Sequence, residues 1–142
     1  MPVYPIDHAG LEALPLDTCL ELLASVPLGR LGFHADGELV VLPVNHALDG
    51  QDIVFRATQG SKLTVAEQQD LVAFEADDYD ERSRAGWSVL VTGRATVVYD
   101  EAETARLGRL GLEPWATAVP HPFWIRIRPV SVSGRRTPDP AG

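Results

Sequence analysis

Apolar positions change their spacing several times along the chain. Leu16, Leu20, Leu23 and Ala24 recur at helical intervals, Asp17 or Thr18 can cap the start, and Pro27 and Gly29 stop the run, so a first helix is predicted from Leu16 to Val26. The spacing then becomes that of strands. Arg30–His34 and Glu38–Asn45 flank Asp36-Gly37, and Ile53–Thr58 follows Asp49-Gly50. Asp-Gly between apolar runs is a strong hairpin signal, because both residues tolerate the positive φ of a type I′ turn. Two such turns in succession predict a three-strand antiparallel meander. Pro43, inside the second strand, has no N–H to donate, which points to an edge or a break there. After Gly60 a short helix is predicted from Ser61 to about Gln69, then a strand over Leu71–Ala76, an acidic loop, and a long strand over Trp87–Tyr99. A third helix over Glu101–Leu110 has acids in its first turn and Arg106 and Arg109 nearer its end, matching the helix dipole. A last strand runs from Phe123 to about Val132, bent at Pro129. About six short strands with hairpin links and three short helices predict a mainly β chain that closes into a barrel or sandwich.

At 142 residues the chain has the size of one domain, with a core over about 16–136 and loose ends at 1–15 and 137–142. Charge narrows the class. Twenty acidic residues against twelve basic ones leave a net charge of −8, which excludes a generally basic nucleic-acid surface and disfavours anionic membranes. No apolar run reaches the ~20 residues of a membrane span, and the first residues lack a signal-peptide pattern. The lone Cys19 cannot form an internal disulfide. These features predict a soluble, cytoplasmic protein. The charges are also unevenly placed: residues 70–81 hold six carboxylates and no base, whereas 114–138 hold Arg126, Arg128, Arg135 and Arg136 and no acid. Such a basic strip can receive a small anion.

The stretch most suggestive of chemistry is 53–63. A two-residue period puts Val54, Arg56 and Thr58 on one strand face, opposite Ile53, Phe55 and Ala57, and the chain then turns at Gly60 into Ser61-Lys62. A guanidinium, two hydroxyls, the one lysine of the protein and the N–H groups of a helix start therefore converge. Such a set suits a phosphate. A solvated Arg and Lys with Ser61 as a plain cap is the competing reading.

The order of these motifs resembles the pyridoxamine 5′-phosphate oxidase-like flavin proteins, and more narrowly their short bacterial branch with the nitroimidazole-resistance-type proteins. The likeness rests on the first helix, Gly29-Arg-Leu-Gly-Phe33, Leu42-Pro-Val-Asn45, Phe55-Arg-Ala-Thr58 and Gly60-Ser-Lys-Leu63, and spans about 16–136. It implies a six-stranded antiparallel split β-barrel, a homodimer, and flavin mononucleotide (FMN) in a cleft between subunits. Arg56, Ser61 and Lys62 would hold the FMN phosphate, with Thr58 beside them. Leu42, Pro43, Val44 and Asn45 would run under the flavin ring, and Trp87, Ser88 and Val89 would lie near it. The ending Ile125-Arg-Ile-Arg-Pro129 and Ser133-Gly-Arg-Arg136 matches the last family strand. Related barrels bind the deazaflavin F420 or haem, so F420 is the alternative cofactor. The substrate-binding residues of true pyridoxamine phosphate oxidases are not recognisable.

Trp124, Arg126 and Arg128 share a strand face that can meet a cofactor, or be a solvated or dimer-facing surface anchored by Trp124. Trp115 reads as a core or interface plug. His8, His34, His46 and His121 lack metal-site spacing, although His46, next to Asn45, is placed to reach the flavin edge. Cys19 reads as a small buried apolar residue. Asp77, Asp78, Asp80 and Glu81 read as a solvated loop paired with Arg82 and Arg84, without the spacing of a calcium loop. The expected function is a flavin-dependent oxidoreductase passing hydride through the flavin. Its rivals are an F420-dependent reductase and a flavin carrier without turnover.

Overall fold

A computed structural model describes residues 4–113 and 120–138. In chain order the elements are β1 (Glu12–Leu14), α1 (Leu16–Ala24), β2 (Leu28–Ala35), β3 (Glu38–Asn45), β4 (Ala47–Asp49), β5 (Asp52–Ala57), α2 (Ser61–Glu67), β6 (Leu71–Asp80), β7 (Ala85–Val98), α3 (Glu101–Gly108) and β8 (Phe123–Arg136). The eight strands form one antiparallel sheet in the order β3-β2-β6-β7-β8-β5-β4, with β1 added to the far end of β8. Eight strands replace the predicted six, and the sheet does not close: β3 and β4 remain its two ends. Short β1 and β4 carry too few residues for their alternation to register. No helix among the described residues is long and apolar enough to cross a membrane.

The first hairpin is as the sequence predicts. Ala35 pairs with Glu38, and Asp36 and Gly37 both take positive φ (51° and 77°), the type I′ pattern. The second turn departs from it. Asp49 pairs with Asp52, so Gly50 and Gln51 are the central residues and only Gly50 has positive φ (62°), as in a type II′ turn. That turn joins β4 to β5, not β3 to β5, so the predicted meander is broken. The ladder of β2 and β3 ends at Asn45, and the His46 N–H donates to the Pro27 carbonyl instead (3.0 Å). β5 is released to pair with β8 at the other end of the sheet. Pro43 does lie on an edge strand.

Two other differences concern length. The predicted acidic loop at 77–80 is strand, because Asp77–Asp80 pair with Ala85–Ser88 and the turn is confined to 81–84. The last strand continues to Arg136 past a bulge at Pro129: Gly93 pairs with Pro129 and Thr92 with Ser131, leaving Val130 unpaired. A side chain at Gly93 would meet the Arg128 carbonyl oxygen, which is why the bulge needs glycine. The predicted Asp17 or Thr18 cap is not used, since Pro15 precedes α1 without a side-chain cap, whereas Asp100 caps α3 by accepting from the Glu103 N–H (2.9 Å).

One face of the bent sheet and α1 enclose the core, in which Cys19, Leu23, Phe55, Phe74, Ile125 and Ile127 are fully buried. Burial raises the Cys19 thiol pKa and keeps it an inert apolar filler. A smaller cluster of Val54, Leu107 and Trp124 lies on the opposite face of β5 and β8, under α3. It is this second face that carries Arg56.

Candidate functional site

Strand alternation buries Phe55 and Ala57 and turns Arg56 to the other side of β5, directly across from Trp124 on β8. The Arg56 guanidinium lies over the Trp124 ring, 5.5 Å from its centroid, and its Nε donates to the His121 carbonyl (2.9 Å). The ring and the carbonyl fix the guanidinium, and its two terminal nitrogens have no hydrogen-bond partner among the described residues. Lys62, in the first turn of α2, is half-buried, and that burial lowers its pKa. Among the described residues no carboxylate pairs with either cation. Partly desolvated cations without a counter-charge are costly, and an anion between them would relieve the cost.

Arg56 and Lys62 line one cleft together with Pro43, Val44 and Asn45 from the end of β3 and Leu112 and His121 from the connection after α3. Five predicted site residues thus come together from three elements, β3, β5 and α2. The cleft is small, about 30 Å³, and has no room for a fused ring. The donor set fits a phosphate. Asn45 is oriented by donating from Nδ2 to the Pro27 carbonyl (3.3 Å).

Other predicted site residues lie elsewhere. Ser61 lines a separate cleft with His34, Asp36 and Gln68. The Thr58 hydroxyl donates to the adjacent Gln59 carbonyl (3.0 Å). Leu42 packs half-buried against the core, and Val89 is wholly inside it. Trp87 lines a cleft with Tyr79 and Arg136, and Ser88 pairs with Asp77 beside it. Trp124 pairs with Val98, and Trp87 lies eleven residues earlier on the same strand, roughly 35 Å along its length at ~3.3 Å per residue. One chain therefore does not bring Trp87 to the Arg56 cleft.

Trp124 is not the exposed anchor expected, being 4% exposed and packed on Val54 and Leu107. Arg126 is also buried and faces three carboxylates, Asp49 (2.9 Å), Asp52 (2.8 Å) and Glu103 (3.2 Å). Arg106 grips Asp49 with both terminal nitrogens at 2.7 Å and reaches Glu103 as well. Burial opposes the charge of Arg126, but its bonds to Asp49 and Asp52 outweigh that and raise its pKa. The Arg106 fork, ahead of Arg126, holds Asp49 well below the usual carboxylate range. This network pins α3 to the β4–β5 hairpin. Sequence reading missed it because Asp49 was explained by its turn and Glu103 by its helix.

Two more arginines of the basic strip are taken up in the same way, Arg135 paired to Asp7 (3.2 Å) and Arg136 to Glu12 (2.9 Å), whereas Arg128 is exposed with no ion pair among the described residues. The acidic stretch pairs with neither Arg82 nor Arg84 side chains. Arg30, across the sheet, contacts both Glu75 (3.2 Å) and Asp77 (3.3 Å). Burial, then the Asp77 charge, pushes Glu75 up to about 7. Trp115 lies outside the described residues.

Comparison with known proteins places this arrangement. The family model described as pyridoxamine 5′-phosphate oxidase matches residues 15–136. The uncharacterized protein Rv0080 of Mycobacterium tuberculosis is 39% identical over 128 residues, covering 87% of this chain and 83% of that one. An FAD-binding protein from Mycobacterium smegmatis is 37% identical with a TM-score of 0.72, over 88% of this chain and 97% of its own. A pyridoxamine 5′-phosphate oxidase-type protein of Corynebacterium glutamicum is 32% identical with a TM-score of 0.78, over 89% and 97%. With the split-barrel sheet and the matched span taken together, the chain belongs to the pyridoxamine 5′-phosphate oxidase-like family.

Proposed function

We propose that the chain binds a flavin nucleotide, FMN, by its phosphate in the Arg56–Lys62 cleft, and acts as an oxidoreductase on a small organic substrate. The observation that carries this reading is the pair of partly buried cations with no carboxylate partner among the described residues, set beside Pro43–Asn45. When bound, the flavin supplies the hydride chemistry. Arg56 holds phosphate oxygens through its free fork, Lys62 adds a point charge, and the His121 carbonyl and Trp124 keep the fork aimed. A second reading is FAD, favoured by the FAD-binding relative at 37% identity; its pyrophosphate would use the same two cations. F420 is the other alternative: of the last-strand arginines its anionic tail would use, Arg126, Arg135 and Arg136 are ion-paired, and Arg128 is exposed with no ion pair among the described residues.

The proposed active form is a homodimer. Leu39 and Val41 on edge strand β3, Leu71 on β6 and Leu90 on β7 are all exposed on the face of the sheet opposite the core. A second copy fits this face, whose apolar residues flank the Arg30–Glu75 ion pair. Trp87 of the second copy, at the end of β7, would then be the one to lie near the flavin ring, for which the Arg56–Lys62 cleft has no room. Mass identification of the small molecule that co-purifies tests the cofactor, and bleaching of its absorption by NAD(P)H separates an oxidoreductase from a carrier. A colourless protein that takes up neither FMN nor FAD overturns the reading.

A further inference from the structure

Strand alternation buries Leu31, Phe74 and Ala76 and turns Arg30 of β2 and Glu75 and Asp77 of β6 to the opposite face of the sheet. A single guanidinium nitrogen, Nη1 of Arg30, serves both carboxylates, Glu75 Oε1 at 3.2 Å and Asp77 Oδ2 at 3.3 Å. One cation thus answers two anions, and a unit of negative charge is left over. The neighbouring strands bring no further charge to the cluster. β7 sets Leu90 opposite Glu75 and Ser88 opposite Asp77, and β3 sets Pro43 opposite Arg30. On β6 itself the preceding residues of this face are Leu71 and Ala73.

The surroundings are apolar, with Leu28, Val41, Leu71 and Leu90 all exposed on the same face. In the single chain water solvates the surplus charge, since the Glu75 and Asp77 side chains are 33% and 43% exposed. Covering the face removes that water. A two-fold contact presents the same patch from both sides, so two surplus charges are desolvated together. A proton relieves each cluster. Protonated Glu75 donates to Asp77, and the remaining carboxylate charge is matched by Arg30. Burial and then Asp77 already push Glu75 up to about 7 in the single chain, so that proton is held near neutrality at little cost.

We propose that the Arg30–Glu75–Asp77 cluster makes the association of two copies through this face respond to pH, tight on the acid side of neutrality and loosened on the alkaline side. The device rests on the homodimer reading given above. Its sign follows from linkage: the covered Glu75 holds its proton more firmly than the free one, so association takes up protons and weakens as pH rises. His34, exposed on the same face of β2, gains charge on acidification, and its desolvation works in the opposite direction. Arg94 on β7, which donates to the Gln69 carbonyl, stays charged throughout.

Sedimentation velocity of the whole chain as purified, at constant ionic strength, tests the proposal. The dimer dissociation constant should rise at least about tenfold from pH 6 to pH 8, because each of the two Glu75 side chains contributes up to tenfold per unit by which contact raises its pKa. Glu75→Gln keeps the shape and the donor of the protonated acid, and its constants at the two pH values should agree within about twofold. Asp77→Asn leaves Glu75 matched one-to-one with Arg30 and should likewise cut the rise below about threefold, which remains decisive if the glutamine variant is damaged. A parent dimer whose constant is flat or falls with pH, or a rise that survives in both variants, overturns the proposal and leaves the dimer standing. A parent that is monomeric even at pH 6 removes the homodimer reading and this proposal with it.

Discussion

Lys62→Met isolates the phosphate contact better than any change at Arg56. Arg56 has structural duties, the bond to His121 and the stack on Trp124, so removing it also loosens the wall of the cleft. Lys62 has no ion pair among the described residues, and its ammonium is lowered in pKa by burial alone. Methionine keeps the length of the stem and discards a charge that the fold tolerates rather than uses. The flavin-free variant should therefore unfold at the same temperature as the parent or slightly above it. A charge-assisted bond to phosphate contributes about 1.5–3 kcal/mol, so FMN affinity should fall roughly tenfold to a hundredfold, and nearer tenfold because the site is half-open. Riboflavin has the same ring and no phosphate, and its affinity should change less than about twofold. Fluorescence quenching titrations of both ligands, with thermal melts of the apoprotein, make the comparison. Equal losses for FMN and riboflavin at unchanged stability would show that Lys62 meets the ring or nothing at all, and the phosphate assignment would fall.

Other consequences can be measured separately. Glu75, raised to about 7, keeps its proton when folded between about 4.5 and 7, where the unfolded chain has lost it, so its contribution to stability declines as pH rises through that window. Glu75→Gln should accordingly melt a few degrees higher than the parent at pH 8, about 1 kcal/mol after solvent screening, with the gap gone at pH 4; a gap independent of pH would contradict this. A methyl at Gly134 would sit 2.5 Å from the Cys19 sulfur, so Gly134→Ala should cost about 1–3 kcal/mol in urea unfolding, and Cys19→Ala should restore much of it in the double variant. Strict additivity would refute the clash. Val41→Arg places a charge in the exposed face of β3 and should shift light-scattering mass from dimer to monomer with melting temperature little changed for the monomer; a parent that is already monomeric would sink the dimer proposal.

The sequence by itself carried what depends on nearest neighbours and on order. Asp36-Gly37 dictates a type I′ hairpin because both residues accept positive φ, Pro43 marks an edge because it lacks a donor, and alternation through Ile53–Thr58 says which side Arg56 leaves the strand. The succession of those motifs was enough to indicate the family. What only the tertiary structure decided are pairings between residues far apart in the chain. Arg126 looked like a cofactor ligand until Asp49, Asp52 and Glu103, from three other places, closed around it. Trp124 looked exposed until α3 folded over it, and β5 left the expected meander once the chain turned away from β3 at His46 and paired with β8. His46 was one scattered histidine until the fold buried it with Nε2 against the Leu23 carbonyl. Local backbone preference is written residue by residue, whereas the partner of a buried charge is set by which strands and helices arrive beside it, and linear spacing does not record that.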